Sequence, residues 1–213
     1  LGHTTVLKHH IKTTDSPVAI NQRRLPLHLE TKVNILIKQL LENQVIKPCQ
    51  SPWNSQLVVV KKKDNNIRMC LDFRPLNAIT EKFTFPVPDI YGLLDALSGA
   101  VMFSSIDFGS AYYQVELTEE SKLKTAFSTK RSQFCFNRLH FGSCTAPATF
   151  QALMHQIFHD MLYKGVFVYL DDILVYSSSE KGHDVLLEEV FSRIASACLK
   201  INPQKFCLKE FEV

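Results

Sequence analysis

Val166-Phe167-Val168-Tyr169-Leu170-Asp171-Asp172-Ile173-Leu174-Val175-Tyr176 is the stretch on which the fold turns. β-Branched and aromatic residues fill both flanks, so Val166-Phe167-Val168 and Ile173-Leu174-Val175-Tyr176 read as strands. The aspartate pair then falls at the tip of a hairpin. Adjacent carboxylates repel each other and lose hydration when buried, so folding alone gives little reason to set them between two core strands. A divalent cation supplies the reason, because hard cations such as magnesium take carboxylate oxygens. On their own, Tyr169-Leu170-Asp171-Asp172 read equally as an acidic turn and as a metal-binding tip.

A second acidic strand lies 64 residues upstream of Asp171, in Phe103-Ser104-Ser105-Ile106-Asp107-Phe108. Alone, Asp107 reads most simply as a strand-end aspartate at a turn. Together, Asp107, Asp171 and Asp172 supply carboxylates from separate strands to one sheet edge. That is what a pair of metal ions about 3.5–4 Å apart requires for in-line phosphoryl displacement.

Periodicity organises the rest. Residues 1–26 have no clear period and read as an extended lead-in. Val33, Leu36, Ile37, Leu40 and Leu41 give a helix over 27–46, stopped by Pro48. Residues 57–61 and 67–72 form a hairpin about Asp64-Asn65-Asn66. Pro86-Val87-Pro88-Asp89 opens a short helix carrying Leu93, Leu94 and Leu97. Strands follow at 102–107 and 112–117, then a hairpin of 125–129 with 134–139. Phe150, Leu153, Met154, Ile157, Phe158, Met161 and Leu162 mark the strongest helix, with Pro147 near its first turn. A last helix covers 182–199 and a last strand 205–213. Helices interleaved with strands, and acidic residues at hairpin tips, give an α+β fold with helices on one face of a sheet.

Composition narrows the classes. The chain has 213 residues, enough for one or two lobes with a core, and its 46% hydrophobic and 21% charged content is ordinary for a soluble globular protein. No apolar run reaches the roughly 18 residues of a membrane span, and the first ten lack a signal-peptide core. The chain does not begin with methionine and reads as a segment of something longer. Net charge is only +3, but between Lys61 and Arg74 stand five cations and two acids, a cluster that reads as a solvated hairpin face or a phosphate-holding patch. The six cysteines show no Cys-x-x-Cys spacing and read as buried thiols in a reducing compartment, with neither zinc nor disulfide.

Five motifs in order carry a resemblance: Ser51-Pro52-Trp53-Asn54-Ser55 with Val58-Val59-Val60-Lys61-Lys62-Lys63-Asp64, then Leu71-Asp72-Phe73-Arg74-Pro75-Leu76-Asn77, Asp107 with its flanks, Phe141-Gly142-Ser143-Cys144-Thr145-Ala146-Pro147-Ala148-Thr149-Phe150-Gln151, and Tyr169-Leu170-Asp171-Asp172. Over about 10–213 the chain resembles the reverse transcriptase of gypsy-type LTR retrotransposons. The resemblance implies a right-hand polymerase fold: a palm of antiparallel sheet backed by helices at 83–121 and 141–213, and fingers at 27–82 and 122–140. The family's thumb and RNase H domain are expected to lie outside these residues. Neighbouring readings are a pararetroviral polymerase and a non-catalytic nucleic-acid-binding remnant.

The implied activity is RNA-directed DNA polymerisation on a primed RNA or DNA template, with deoxynucleoside triphosphates and two Mg²⁺ ions, for which Mn²⁺ substitutes. Asp107 and Asp171 are the implied principal metal ligands, supported by Asp172 and the Phe108 carbonyl. Tyr112 packs under the incoming sugar, or else is a core tyrosine at a strand start. Lys62 and Arg68 grip the triphosphate, the guanidinium bidentately. Asp72 and Arg74 either pair locally or brace the nucleotide pocket. Phe141 and Gly142 lie against template or nucleotide, glycine permitting close backbone approach. Tyr169 and Leu170 touch the primer end. The implied partners are the template-primer and the rest of a Pol polyprotein (thumb, RNase H, integrase), with no membrane, in an intracellular setting that includes virus-like particles and nuclear access. The chain departs from the family at His140, Ser143, Thr145 and Gly109-Ser110-Ala111-Tyr112-Tyr113, none of them an implied side-chain metal ligand.

Overall fold

The computed structural model describes residues 1–14, 16–61, 67–86 and 90–210. In chain order its elements are β1 (Thr4–His9), α1 (Leu27–Glu42), β2 (Ile46–Pro48), β3 (Gln56–Lys61), β4 (Ile67–Asp72), α2 (Arg74–Ile79), α3 (Ile90–Ala96), β5 (Met102–Asp107), a 3₁₀ turn (Ala111–Gln114), β6 (Val115–Leu117), α4 (Glu119–Lys124), β7 (Phe127–Ser128), β8 (Gln133–Phe136), α5 (Ala146–Phe158), β9 (Val166–Tyr169), β10 (Asp172–Ser177), α6 (Glu180–Ser196) and β11 (Cys207–Glu210). β1, inside the expected lead-in, pairs with β6.

Two compact units emerge. The first comprises Leu1–Leu7, Phe83–Val115 and Pro147–Val213, and the second Lys8–Lys82 and Glu116–Ala146. Breaks expected at 82/83, 121/122 and 140/141 stand beside observed ones at 82/83, 115/116 and 146/147.

The first unit is an antiparallel four-stranded sheet in the order β11-β5-β10-β9. Met102, Ser104 and Ile106 of β5 and Ile173 and Val175 of β10 alternate inward, and Val166, Phe167 and Val168 are all buried. α6 packs against β5 and β10. Its fully buried His183 joins helix to sheet, with Nε2 2.8 Å from Ser104 Oγ and Nδ1 3.1 Å from Ser177 Oγ. Ser179 caps the helix, its Oγ accepting from the Gly182 N–H. Arg193 of α6 pairs with Asp160 beyond α5 and donates to the Ile157 carbonyl at 3.1 Å.

The second unit holds the β3-β4 hairpin, the β2-β8-β7 sheet and α1. Phe127, Phe134 and Phe136 share one buried aromatic cluster. Lys122 and Lys124 of α4 are buried with partners: Lys122 Nζ meets Glu116 at 2.9 Å, and Lys124 Nζ donates to the Ile11 carbonyl at 2.8 Å.

Several elements differ from expectation. The helix expected to reach residue 46 ends at Glu42, because Gln44 turns left-handed at φ 55°, and Ile46 joins β8 instead. The strand expected at 112–117 is half 3₁₀ turn, entered through left-handed Ser110 at φ 53°. Only Cys135 of the six thiols is fully buried, while Cys144, Cys198 and Cys207 are exposed at loops and an edge strand. The expected turn at Asp64-Asn65-Asn66 and the opening at Val87-Pro88-Asp89 lie outside the described residues.

Candidate active site

Cross-strand register builds the acidic site of the first unit. Asp107, the last residue of β5, stands directly opposite Asp172, the first of β10. Tyr169 and Asp172 close the β9-β10 hairpin, leaving Leu170 and Asp171 as its turn. Like charges placed opposite each other in a sheet are destabilising, so the strand pairing itself does not ask for this arrangement. The strain shows in Asp172, whose carboxyl is raised above the ordinary carboxylate range by lost hydration and by the charges of Asp171 and Asp107.

The turn is held in an unfavourable shape. Leu170 adopts φ 56°, a left-handed conformation that branched side chains avoid and that stores on the order of 1–3 kcal/mol. Gln151 of α5, almost wholly buried, holds it there: its Oε1 accepts from the Leu170 N–H at 2.8 Å and its Nε2 donates to the Val168 carbonyl at 3.3 Å. Gln151 closes the Phe141–Gln151 motif, yet nothing in the sequence marks this task.

Tyr112 lies in the 3₁₀ turn, so the expectation that adjacent strand residues face opposite ways does not apply to Tyr112 and Tyr113. Its ring meets Phe150 edge-on at 5.9 Å, and Phe150 meets Phe108 the same way at 5.6 Å. Burial and then the Asp171 charge raise the Tyr112 hydroxyl's pKa, so Tyr112 shares the electrostatic field of the acidic site. Phe108 is buried, and Tyr169 is 46% exposed. Gln114 fixes the loop after Asp107: its amide donates to the Gly109 and Lys200 carbonyls at 2.9 and 2.8 Å and accepts from the Lys200 N–H at 2.7 Å.

Lys205 is the second residue that sequence reading missed. Its ammonium lies 3.1 Å from Asp107 Oδ2, and the Asp107 carbonyl accepts from the Asn202 N–H at 2.8 Å. One ammonium against three carboxylates leaves a net negative site. Among the described residues no group of three His, Cys, Asp or Glu side chains is placed to hold a metal ion by itself. An open cluster is what magnesium uses, since it takes one or two carboxylates and completes its shell with water and substrate phosphates. The donor set fits: all oxygen, from two strands, with a lysine cation already drawn to Asp107.

In the second unit, Asp72 and Arg74 pair locally. Arg74 Nε and Nη2 donate to Asp72 Oδ1 and Oδ2 at 2.8 and 2.7 Å, and these bonds bring the Asp72 carboxyl down to about 2. Arg68 is exposed on β4, opposite Val60. Lys62 lies outside the described residues. Gly142 has φ 95°, and a Cβ there would sit 3.6 Å from the Phe73 ring. Its carbonyl accepts from Asn77 Nδ2 at 2.8 Å, and Asn77 Oδ1 accepts from the Cys144 N–H at 3.0 Å. Phe141 is 53% exposed.

His140 stacks on Phe73 at 3.9 Å, so this departure from the family fills a core position. Burial depresses His140 to about 4 and His9 to about 3, with the His140 charge contributing second at His9. The folded state therefore binds these two protons less readily than the unfolded chain, whose histidines titrate near 6.5. Stability is fully present above about pH 6.5 and falls as pH drops toward 4. Thermal melts are expected to show a lower midpoint at pH 5 than at pH 7.5, and His140→Phe should shrink that difference. Equal pH dependence in both proteins would contradict it.

An antiparallel sheet that gathers aspartates from two adjacent strands at one end has the oxygen donors that two-metal phosphoryl-transfer chemistry uses. Residues 60–211 match the family model described as reverse transcriptase (RNA-dependent DNA polymerase). The chain is 37% identical over 211 residues to the Retrovirus-related Pol polyprotein from transposon 297 of Drosophila melanogaster, covering 96% of this chain and 20% of that protein. To the corresponding polyprotein from transposon gypsy it is 32% identical over 212 residues, with the same coverages of 96% and 20%. The foamy viral protease-reverse transcriptase in complex with RNA/DNA hybrid superposes with a TM-score of 0.89 at 27% identity, covering 100% of this chain and 28% of that one. The chain belongs to the reverse transcriptase family. It spans about a fifth of the length of the curated relatives it matches.

Proposed function

We propose that this chain is the polymerising segment of a retroelement Pol polyprotein, an RNA-directed DNA polymerase that extends a primer 3′-end on an RNA or DNA template with deoxynucleoside triphosphates. The observation that carries the reading is the register of Asp107 opposite Asp172, beside the turn that carries Asp171. The first compact unit is the palm and the second the fingers. Asp107 and Asp171 are the principal ligands of two Mg²⁺ ions, or Mn²⁺ in their place, with Asp172 and the Phe108 carbonyl in support. Bound there, the ions would acidify the primer hydroxyl and neutralise the triphosphate.

The protein's own part is positional. Gln151 and the β9-β10 turn aim Asp171, and Phe150 seats Phe108 and Tyr112. Tyr112 packs under the incoming sugar and excludes a 2′-hydroxyl. Arg68, with Lys62, holds the triphosphate, and the Asp72–Arg74 pair stiffens the chain entering α2. Phe141 and Gly142 lie against template or nucleotide, Tyr169 and Leu170 at the primer end. The relatives' names support a Pol polyprotein setting. A thumb, RNase H and integrase as further parts, and work inside the cell, belong to the same proposal. Among the described residues no helix is long and apolar enough to cross a membrane.

The test is extension of an oligo(dT) primer on poly(rA), with magnesium or manganese, before and after chelation. Metal-dependent extension by the chain, or by the chain joined to its downstream thumb, is the expected result. Failure of both, with cooperative melting intact, would overturn the reading. Tyr112→Ala is expected to raise ribonucleotide incorporation at least about tenfold, the discrimination a small steric difference confers. Unchanged incorporation would remove Tyr112 from the sugar pocket.

A further inference from the structure

β11 does not run evenly along its neighbour. Its register against β5 shifts between Cys207, opposite Ser105, and Glu210, opposite Phe103. Within that shift Lys209 turns left-handed at φ 53°, a conformation that a residue with a side chain seldom adopts unaided. Its N–H leaves the ladder and donates to Ser104 Oγ of β5 at 3.0 Å. Ser104 is buried, and beside it lies the fully buried ring of His183 on α6.

The hydrogen bonds around that ring fix its form. Ser177 has one hydroxyl proton, and it goes to the Ser179 carbonyl at 2.9 Å. Ser177 Oγ, 3.1 Å from His183 Nδ1, can therefore only accept, so Nδ1 carries a proton. In the neutral ring Nε2 is then bare and accepts from the Ser104 hydroxyl at 2.8 Å. That leaves the lone pairs of Ser104 Oγ for the Lys209 N–H. One relay of donors thus runs from β11 through β5 and α6 to β10, in one direction. A proton added at Nε2 breaks it. Two donors would face each other, Ser104 must turn, and its own proton loses its acceptor in a buried place that also holds the new charge.

Among the described side chains, the charges nearest the ring do not offset its burial. Burial holds His183 below the ordinary histidine range; Asp184 works against this and Lys209 with it. Asp184 is itself drawn to Lys209 at 2.8 Å, as is Glu180 at 3.3 Å. β10 adds Tyr176, whose hydroxyl burial pushes up, and β11 the exposed Cys207. β5 carries no ionisable residue before Asp107. The unfolded chain, titrating near 6.5, takes the proton more readily than the folded one. What the neutral ring fastens is therefore present above about pH 6.5 and is lost as pH falls below it. Hydrating a charged ring requires an element to lift. β11 has four residues, is irregular and lies at the sheet edge, so it opens most readily. The segment just before it reaches Asp107 through Asn202 and Lys205.

We propose that His183 is a proton-operated clasp: neutral, with its proton on Nδ1, it fastens β11 through Ser104 to the strand that carries Asp107, and when charged it lets β11 go. What Asp107 binds does not enter, so the clasp and the polymerase activity are tested separately.

The experiment reads the 213-residue chain by NMR. With nitrogen-15 histidine, the His183 ring is the signal missing from His183→Gln. At about pH 7.5 it should be neutral with its proton on Nδ1, and a proton on Nε2 overturns the proposal. Amide exchange at Lys209 is then compared with that of an unstructured chain at each pH. Between about pH 7.5 and about pH 5.5 its protection should fall at least about tenfold more than that of Val168 and Ile173 in the β9-β10 ladder, the effect of losing one hydrogen bond. Unchanged protection at Lys209 overturns the clasp. So does an equal fall at all three amides, which marks general acid unfolding, for which His9 and His140 of the second unit suffice. In His183→Gln, whose amide oxygen accepts from Ser104 but does not titrate, the pH dependence should vanish. Its persistence refutes the role of the ring. Ser104→Ala should leave Lys209 about tenfold less protected already at about pH 7.5, with no further loss on acidification. If His183→Gln does not melt cooperatively, the ring is assigned by its shift in Ser104→Ala and that variant decides. A Lys209 amide as protected there as in the parent overturns the proposal.

Discussion

Asp171→Asn is expected to lower metal-dependent primer extension by about a thousandfold while leaving the melting temperature equal to or slightly above that of the parent chain. A carboxylate that helps hold catalytic ions is worth several kcal/mol of transition-state charge stabilisation, and about 4 kcal/mol corresponds to a thousandfold. The stability expectation runs the other way. Asp171 pushes up the Asp172 carboxyl, so removing its charge relieves repulsion at the hairpin. Asp107→Asn should match it in activity but not in stability, because it also removes the ion pair with Lys205. Extension rates and thermal melts of the two variants check both halves. Undiminished extension by Asp171→Asn would take the metal site away from this hairpin.

Phe150→Ala should lower stability by about 3–5 kcal/mol, the usual effect of emptying a large buried aromatic site, and the melting temperature by on the order of 10 °C. Phe150 is fully buried on α5 and touches Phe108 and Tyr112 edge-on. Its loss therefore leaves a void beneath both the expected metal-touching backbone and the expected sugar pocket. Phe150→Leu fills most of the void and should recover most of the stability while losing the ring edges. If Phe150→Leu melts near the parent temperature yet misincorporates ribonucleotides, Phe150 positions Tyr112. If its selectivity equals the parent's, Phe150 is core alone.

The parts of this molecule that the sequence makes legible are those whose cause is local. The β9-β10 hairpin declares itself by β-branched flanks, and α5 by the spacing of Phe150, Leu153, Met154, Ile157 and Phe158. What stayed hidden has distant causes. Tyr112-Tyr113-Gln114-Val115 has strand composition, yet the Gln114 amide bonds to Lys200, 86 residues away, and winds the segment into a 3₁₀ turn. Val45 and Ile46 continue the period of α1, but left-handed Gln44 breaks the helix without glycine or asparagine at that position. α4 is six residues long and mostly charged, too short to show a period. Lys205 sits in a polar run, 98 residues from the aspartate it neutralises, and nothing local marks it. Gln151 lies within a recognised motif, but its task is visible only once Leu170 is seen with a positive φ.

The order of strands in the first unit bears on how the chain comes off the ribosome. β5 is made early, but its neighbours β10 and β11 follow only after residues 116–146 have been built into the other unit. Until then β5 is a bare edge carrying Asp107 with neither Asp172 nor Lys205 beside it. Such non-local pairing is slow and leaves the nascent chain open to association with other strands. The second unit is interrupted in the same way, so neither can be completed from one uninterrupted stretch. The acidic centre is therefore assembled only once β10 and β11 have followed β5, and a chain released before β10 would carry the first aspartate with no partner to complete the site.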